Sequence, residues 1–222
     1  MMDEQLDRLY KKINQQGRIA IQFGHEQIDP WLGQLKNDHR RSLTLLATVP
    51  AHVSRNIKMC LQGMKASVPE LYYYPSTALH LTIMDMYRGR PSDQLLDAYV
   101  SQMQPLVDRF LPIQWRMQGL IVSPGAVLVK GYYSLSLGNL RNQLRQQIPL
   151  ANLPLMERYQ TVSGHMTIAR FPTEGQHRAS LLKYAEQNSS LQFGTFEVDQ
   201  VDLVIHDWYH RRVQSVATFS NA

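Results

Sequence analysis

The sequence predicts an α+β fold made of two similar halves, and three observations carry that prediction. A strand-then-helix unit bearing the pattern His-x-Thr-Ile occurs twice, at His80 and again 85 residues later at His165. Apolar strand-like runs and helical segments are interleaved without the regular rhythm of a parallel βαβ array. Ser123-Pro124-Gly125 separates two strand-like runs, the signature of a hairpin. A chain of 222 residues, 44% of them hydrophobic, has ample apolar material for a buried core.

The elements follow in order. A helix is expected from Asp3 to Ile13, ending through Gln15-Gln16-Gly17, and the polar run Lys36 to Arg41 closes a segment read as an N-terminal extension, residues 1–41. A domain is expected over 42–222. Ser42 to Val49 reads as a buried strand, stopped by Pro50 and followed by a helix of about a dozen residues. Tyr72 to Thr77 has the character of a loop, and Ala78 to Met84 that of a strand. A helix over Ser92 to Phe110 comes next, then the hairpin strands Gln114 to Leu120 and Ala126 to Tyr133. A helix over Asn139 to Gln147 leads past Pro154 to a strand at Ser163 to Phe171 and a helix at about His177 to Glu186. Phe196 to Ile205 and Val213 to Phe219 read as a last antiparallel pair.

The repeated motif points to chemistry. Side chains alternate along a strand, so His80 and Thr82 share one face while Leu81 and Ile83 share the other, and His165 and Thr167 do the same. A pseudo-twofold arrangement would set the two pairs across a cleft. In-line displacement at phosphorus needs a base on one side and an acid on the other. Imidazoles, with an ordinary pKa of ~6.5, suit both roles, and the threonine hydroxyls can hold the non-bridging oxygens. No metal is required, and neither motif has a second His, Cys or carboxylate at a usual ligand spacing beside it.

Other readings compete. Eight histidines among many Ser and Thr residues give about one His-x-Ser/Thr match by accident. His52-Val53-Ser54 is such a match, and its Ser54 is expected to cap a helix. Either His80 or His165 alone would read as a structural histidine; the shared tetrad, alternation and context favour the catalytic reading of both. The single cysteine, Cys60, lies in an apolar-periodic stretch and reads as a small buried hydrophobe. A net charge of +5 favours anionic partners, although the basic residues are scattered. The chain shows no long apolar run and its first residues no signal-like pattern, so a cytoplasmic protein without a membrane partner is expected.

With Thr77-Ala78-Leu79-His80-Leu81-Thr82-Ile83 and His165-Met166-Thr167-Ile168-Ala169-Arg170 the sequence resembles the 2H phosphoesterase superfamily, and in particular its LigT-like branch of RNA ligases and cyclic phosphodiesterases. The likeness spans about residues 42 to 219. It implies a two-lobed α+β fold whose antiparallel sheets line a central basic cleft with helices outside. It also implies His80 and His165 as the acid/base pair, with Thr82 and Thr167 as phosphate-binding partners. The implied substrate is a nucleotide or RNA bearing a 2′,3′-cyclic phosphate or a 2′–5′ linkage, with 2′–5′ RNA joining as a further activity of such proteins and no cofactor. A monomer is expected.

Two features depart from the family pattern: the N-terminal extension and Asp85. Strand parity places Asp85 on the Leu81 face unless the strand bends, and likewise places Arg170, a candidate phosphate ligand, on the Met166 face. Arg88 and Arg90 form either a basic rim or ordinary surface charge. Among the loop aromatics Tyr72, Tyr73, Tyr74, Trp208 and Tyr209, the best candidate for gripping a base is Tyr209, beside His210, Arg211 and Arg212. The alternative function is a non-catalytic RNA- or nucleotide-binding module that keeps the same cleft.

Overall fold

The computed structural model describes residues 2–220; the last two residues of the expected domain lie outside them. Two antiparallel sheets form the frame. The first has four strands in the order β3 (His80–Arg88), β1 (Arg41–Thr48), β8 (Gln200–Asp207) and β9 (Val213–Ser220). The second has five: β2 (Tyr72–Tyr73), β6 (Met166–Arg170), β5 (Ala126–Tyr133), β4 (Ile113–Ser123) and β7 (Gln192–Val198). Helices α3 (Asp93–Phe110) and α4 (Leu135–Leu150) pack on each other and on the first sheet. Helices α1 (Met2–Gln22), α2 (Ala51–Ser67) and α5 (Arg178–Gln187) cover the second. This is the expected α+β class with two sheets and helices outside.

Several boundaries differ from expectation for local reasons. Helix α1 runs through Gly17 to Gln22, because Gly17 is where the helix lies directly on β4: a Cβ there would overlap the Val122 carbonyl. Residues 1–41 thus supply a helix to the core, with Leu6, Tyr10 and Ile21 buried. Helix α2 starts at Ala51, after Pro50, so Ser54 is not its cap; its amide donates to the Pro50 carbonyl at 3.0 Å. Tyr72–Tyr73, expected in a loop, pairs with β6. The run expected as one strand from Phe196 splits at Asp199, its first part belonging to the second sheet and its continuation to the first.

The register of the two motif strands decides which side chains face one another. On β3, Leu46 pairs with Thr82 but Leu45 with Met84, leaving Ile83 as an extra residue. On β6, Leu128 pairs with Thr167 but Val127 with Ala169, leaving Ile168 extra. Each bulge therefore falls on the isoleucine of His-x-Thr-Ile, and each reverses the parity beyond it. Asp85 comes to the Thr82 face and Arg170 to the Thr167 face, opposite to simple alternation.

Candidate active site

A cleft of about 1120 Å³ lies between the sheets, and His80, Thr82, His165 and Thr167 all line it. Arg40, Arg41, Arg88, Arg158 and Arg170 line it too, against one carboxylate, Asp85, so the scattered basic residues of the sequence gather into an anion-attracting surface. Arg90 is not among the lining residues.

The two histidines are oriented from equivalent positions, two residues upstream, by different atoms. His80 Nδ1 lies 2.9 Å from the Ala78 carbonyl oxygen. A carbonyl only accepts, so Nδ1 carries a proton and Nε2 is left for chemistry. His165 Nδ1 lies 2.7 Å from Ser163 Oγ, a hydroxyl that can give or take a proton. Burial lowers the pKa of both imidazoles. For His80 the Ala78 bond opposes the shift. For His165, the nearby Arg141 and Arg170 guanidiniums and His80 add to the burial and push it down to about 4.

The backbone before His165 is fixed from three sides. Tyr10 of α1 donates its hydroxyl proton to the Gly131 carbonyl at 2.7 Å and accepts from the Gly164 amide at 3.0 Å. Trp115 Nε1–H donates to the Gly164 carbonyl at 3.2 Å. Arg141, 1% exposed, donates to the carbonyls of Thr82, Ile83, Val162 and Ser163 at 2.8–3.1 Å. One buried guanidinium thus ties the first motif strand to the segment leading into the second. Sequence reasoning missed it, yet a signal was present: Arg141 sits on the apolar stripe Leu137, Leu140, Leu144, Ile148 of α4.

Among the remaining candidates, Arg170 faces the cleft, its Nε donating to the Tyr74 hydroxyl at 2.9 Å. Tyr209 does not line the cleft. It is 1% exposed, its ring meets Tyr72 edge-on at 5.8 Å, and its hydroxyl accepts from Arg40. Its neighbour Trp208 forms the wall instead, with the guanidiniums of Arg40, Arg158 and Arg170 at 5.0, 5.2 and 5.8 Å from the ring. Tyr73 is tied to the Val68 carbonyl. Cys60 is buried, and burial pushes its thiol pKa up, as for a packing residue.

The structure also gathers what no local spacing indicated. His206 and His210 stand beside His80, their ring centroids 5.6 and 4.3 Å from its own. The three histidines form the group of possible metal ligands among the described residues.

The family model of the 2′-5′ RNA ligase superfamily matches residues 53–209, a span holding both motifs. Comparison with curated proteins finds no match. Solved structures share the fold. TT0787 of Thermus thermophilus superposes with a TM-score of 0.58 at 16% identity, covering 81% of this chain and 97% of its own. LigT of E. coli, in complex with 3′-AMP, gives 0.55 at 13% identity, covering 83% and 99%. A protein described as a phosphoesterase gives 0.52 at 14%, covering 82% and 98%. No described helix is long and apolar enough to cross a membrane.

Proposed function

The chain belongs to the 2′-5′ RNA ligase superfamily, and from that premise we propose that it is a metal-independent phosphodiesterase acting on a nucleotide or RNA 2′,3′-cyclic phosphate or 2′–5′ linkage. The observation that carries this reading is that both His-Thr pairs line one arginine-rich cleft. The proposed catalytic domain is residues 42–222, with helix α1 of the preceding extension bracing the second motif through Tyr10.

The surroundings of the two histidines divide the work. His165, held neutral by burial and two guanidiniums, is the general base. With Nδ1–H donating to Ser163 Oγ, its Nε2 takes a proton from water, whose oxygen attacks phosphorus in line. His80 is the general acid. Burial holds its pKa below the ordinary value and the Ala78 bond offsets only part of that, so it is the incoming phosphodiester anion that draws the proton onto His80 and stabilises the imidazolium. As the ribose oxygen leaves, His80 Nε2–H protonates it, and the products are an alcohol and a phosphomonoester. Thr82 and Thr167 donate to the non-bridging oxygens, and Arg170 pairs with the charge that grows on them. A ribose hydroxyl replacing water at the same site gives 2′–5′ joining. The E. coli LigT structure contains 3′-AMP, the kind of phosphomonoester that opening a 2′,3′-cyclic phosphate leaves.

The test is turnover of 2′,3′-cyclic nucleotides, 2′–5′ oligoadenylate and cyclic dinucleotides in EDTA, by the wild type and by His80→Ala and His165→Ala. Each substitution should lower kcat by about 10²–10⁴-fold with KM little changed. Wild-type binding without turnover would replace this reading with the non-catalytic module.

A further inference from the structure

We infer that His80, His206 and His210 form a binding site for a zinc-type divalent transition-metal ion, placed so that occupancy takes His80 out of acid–base chemistry. The binding site stands on geometry alone; only its inhibitory consequence rests on the function proposed above.

One ring nitrogen from each of the three histidines lies within 4.8 Å of the others. The Nδ1 atoms of His206 and His210 are 3.1 Å apart. Tetrahedral coordination with metal–nitrogen bonds of ~2.0–2.1 Å sets ligand nitrogens about 3.3 Å from one another, so this edge is formed already and His80 has at most about 1.5 Å to close.

Two of the three lone pairs are directed by outer hydrogen bonds. The Ala78 carbonyl fixes the His80 proton on Nδ1 and leaves the Nε2 lone pair free. Thr44 Oγ1 lies 3.2 Å from Asp85 Oδ1 and 3.3 Å from Ser42 Oγ; with its single proton given to the carboxylate, it accepts at 3.0 Å from His206 Nε2–H. His206 Nδ1 then presents a lone pair toward His210. Without metal, His210 Nδ1–H donates into that lone pair. With metal, the ion replaces this proton, which moves to His210 Nε2. The chains Asp85–Thr44–His206 and Ala78–His80 are the kind of outer bonds that hold metal-binding imidazoles in one tautomer.

The turn carrying His210 is also built to present it. The Asp207 carboxylate accepts from the amides of Tyr209, Arg211 and Arg212 at 2.9–3.0 Å. It thereby holds His210 at φ 55°, in the left-handed region that non-glycine residues adopt only when their surroundings hold them there. This winding brings the ring back against His206, four residues earlier. An all-imidazole set selects zinc, cobalt, nickel or copper over calcium or magnesium. His80 and His206 line the cleft, leaving the fourth position to water or a phosphate oxygen.

The test is titration of the EDTA-stripped full chain with Co²⁺, followed by its visible ligand-field absorption, with Zn²⁺ as competitor. One cobalt ion per chain is expected, displaced by zinc, with affinity at least tenfold weaker in each of His206→Ala and His210→Ala; circular dichroism checks their folding. Zinc should also inhibit turnover, reversibly with EDTA. Absence of cobalt absorption at millimolar metal in the wild type would overturn the site without reference to any variant. So would affinity unchanged in both variants, which would place the metal on other histidines. A cobalt spectrum that depends on these histidines in a chain without turnover would keep the site and sink the proposed function instead.

Discussion

Replacing Arg141 by Met tests whether one buried cation sets the separation of the two motifs. The guanidinium donates to four carbonyls, two on β3 and two before β6, and lies 5.2 Å from the Tyr133 ring centroid. A hydrogen bond to a charged group contributes about 1.5–3 kcal/mol, so the four amount to roughly 6–12 kcal/mol before the guanidinium's own desolvation is subtracted. Methionine fills a similar volume but leaves the carbonyls with fewer donors, and a net loss of about 3–5 kcal/mol is expected. Lys, with three donors and no planar fork, should recover only part of it. The carbonyls belong to Thr82, Ile83, Val162 and Ser163, so relaxation there moves Thr82 and the Ser163 support of His165. A displacement of about 1 Å is enough to lower turnover by about 10²-fold. Urea unfolding gives the stability, and kcat in the folded baseline gives the geometry. A methionine variant as stable and as active as the wild type would refute the idea that Arg141 braces the site.

Three further predictions follow from particular contacts. If His80 is the acid, a p-nitrophenyl phosphodiester, whose leaving group needs no proton, should rescue His80→Ala by at least tenfold relative to a ribose ester and His165→Ala hardly at all; equal rescue would reverse or dissolve the assignment. His165 is held at a pKa of about 4, below its unfolded value of 6.5, so between those values the unfolded chain binds a proton that the folded one does not. Stability should fall as pH drops from 6.5 to 4, and His165→Gln should flatten that slope in urea titrations run in EDTA; identical slopes would contradict the burial argument. Gly17→Ala, which in an exposed helix adds about 1 kcal/mol, should here destabilise by about 1–3 kcal/mol, because the new methyl meets the Val122 carbonyl. Thermal unfolding reads the sign.

How far the sequence reached depended on whether an interaction was local. The strand-helix units, the hairpin at Ser123-Pro124-Gly125 and the paired His-x-Thr-Ile tetrads were legible, because periodicity and turn chemistry are properties of neighbouring residues. Simple alternation turns Asp85 and Arg170 away from the cleft unless the strand bends, and the bulge at Ile83 or Ile168 that turns them toward it is decided by pairing with β1 or β5 and leaves no mark in the local pattern. Tyr209 and Trp208 exchanged roles for a similar reason: which of two adjacent aromatics faces the cleft follows from how the Asp207 turn is wound. The sequence by itself determined the α+β class, the duplicated motif and the residue types available for acid–base work. Tertiary structure alone decided that α1 reaches Gly164 through Tyr10, that Arg141 joins the two motif segments, and that His206 and His210 meet His80, because those contacts join residues from 21 to 154 positions apart along the chain or depend on strand order rather than on spacing.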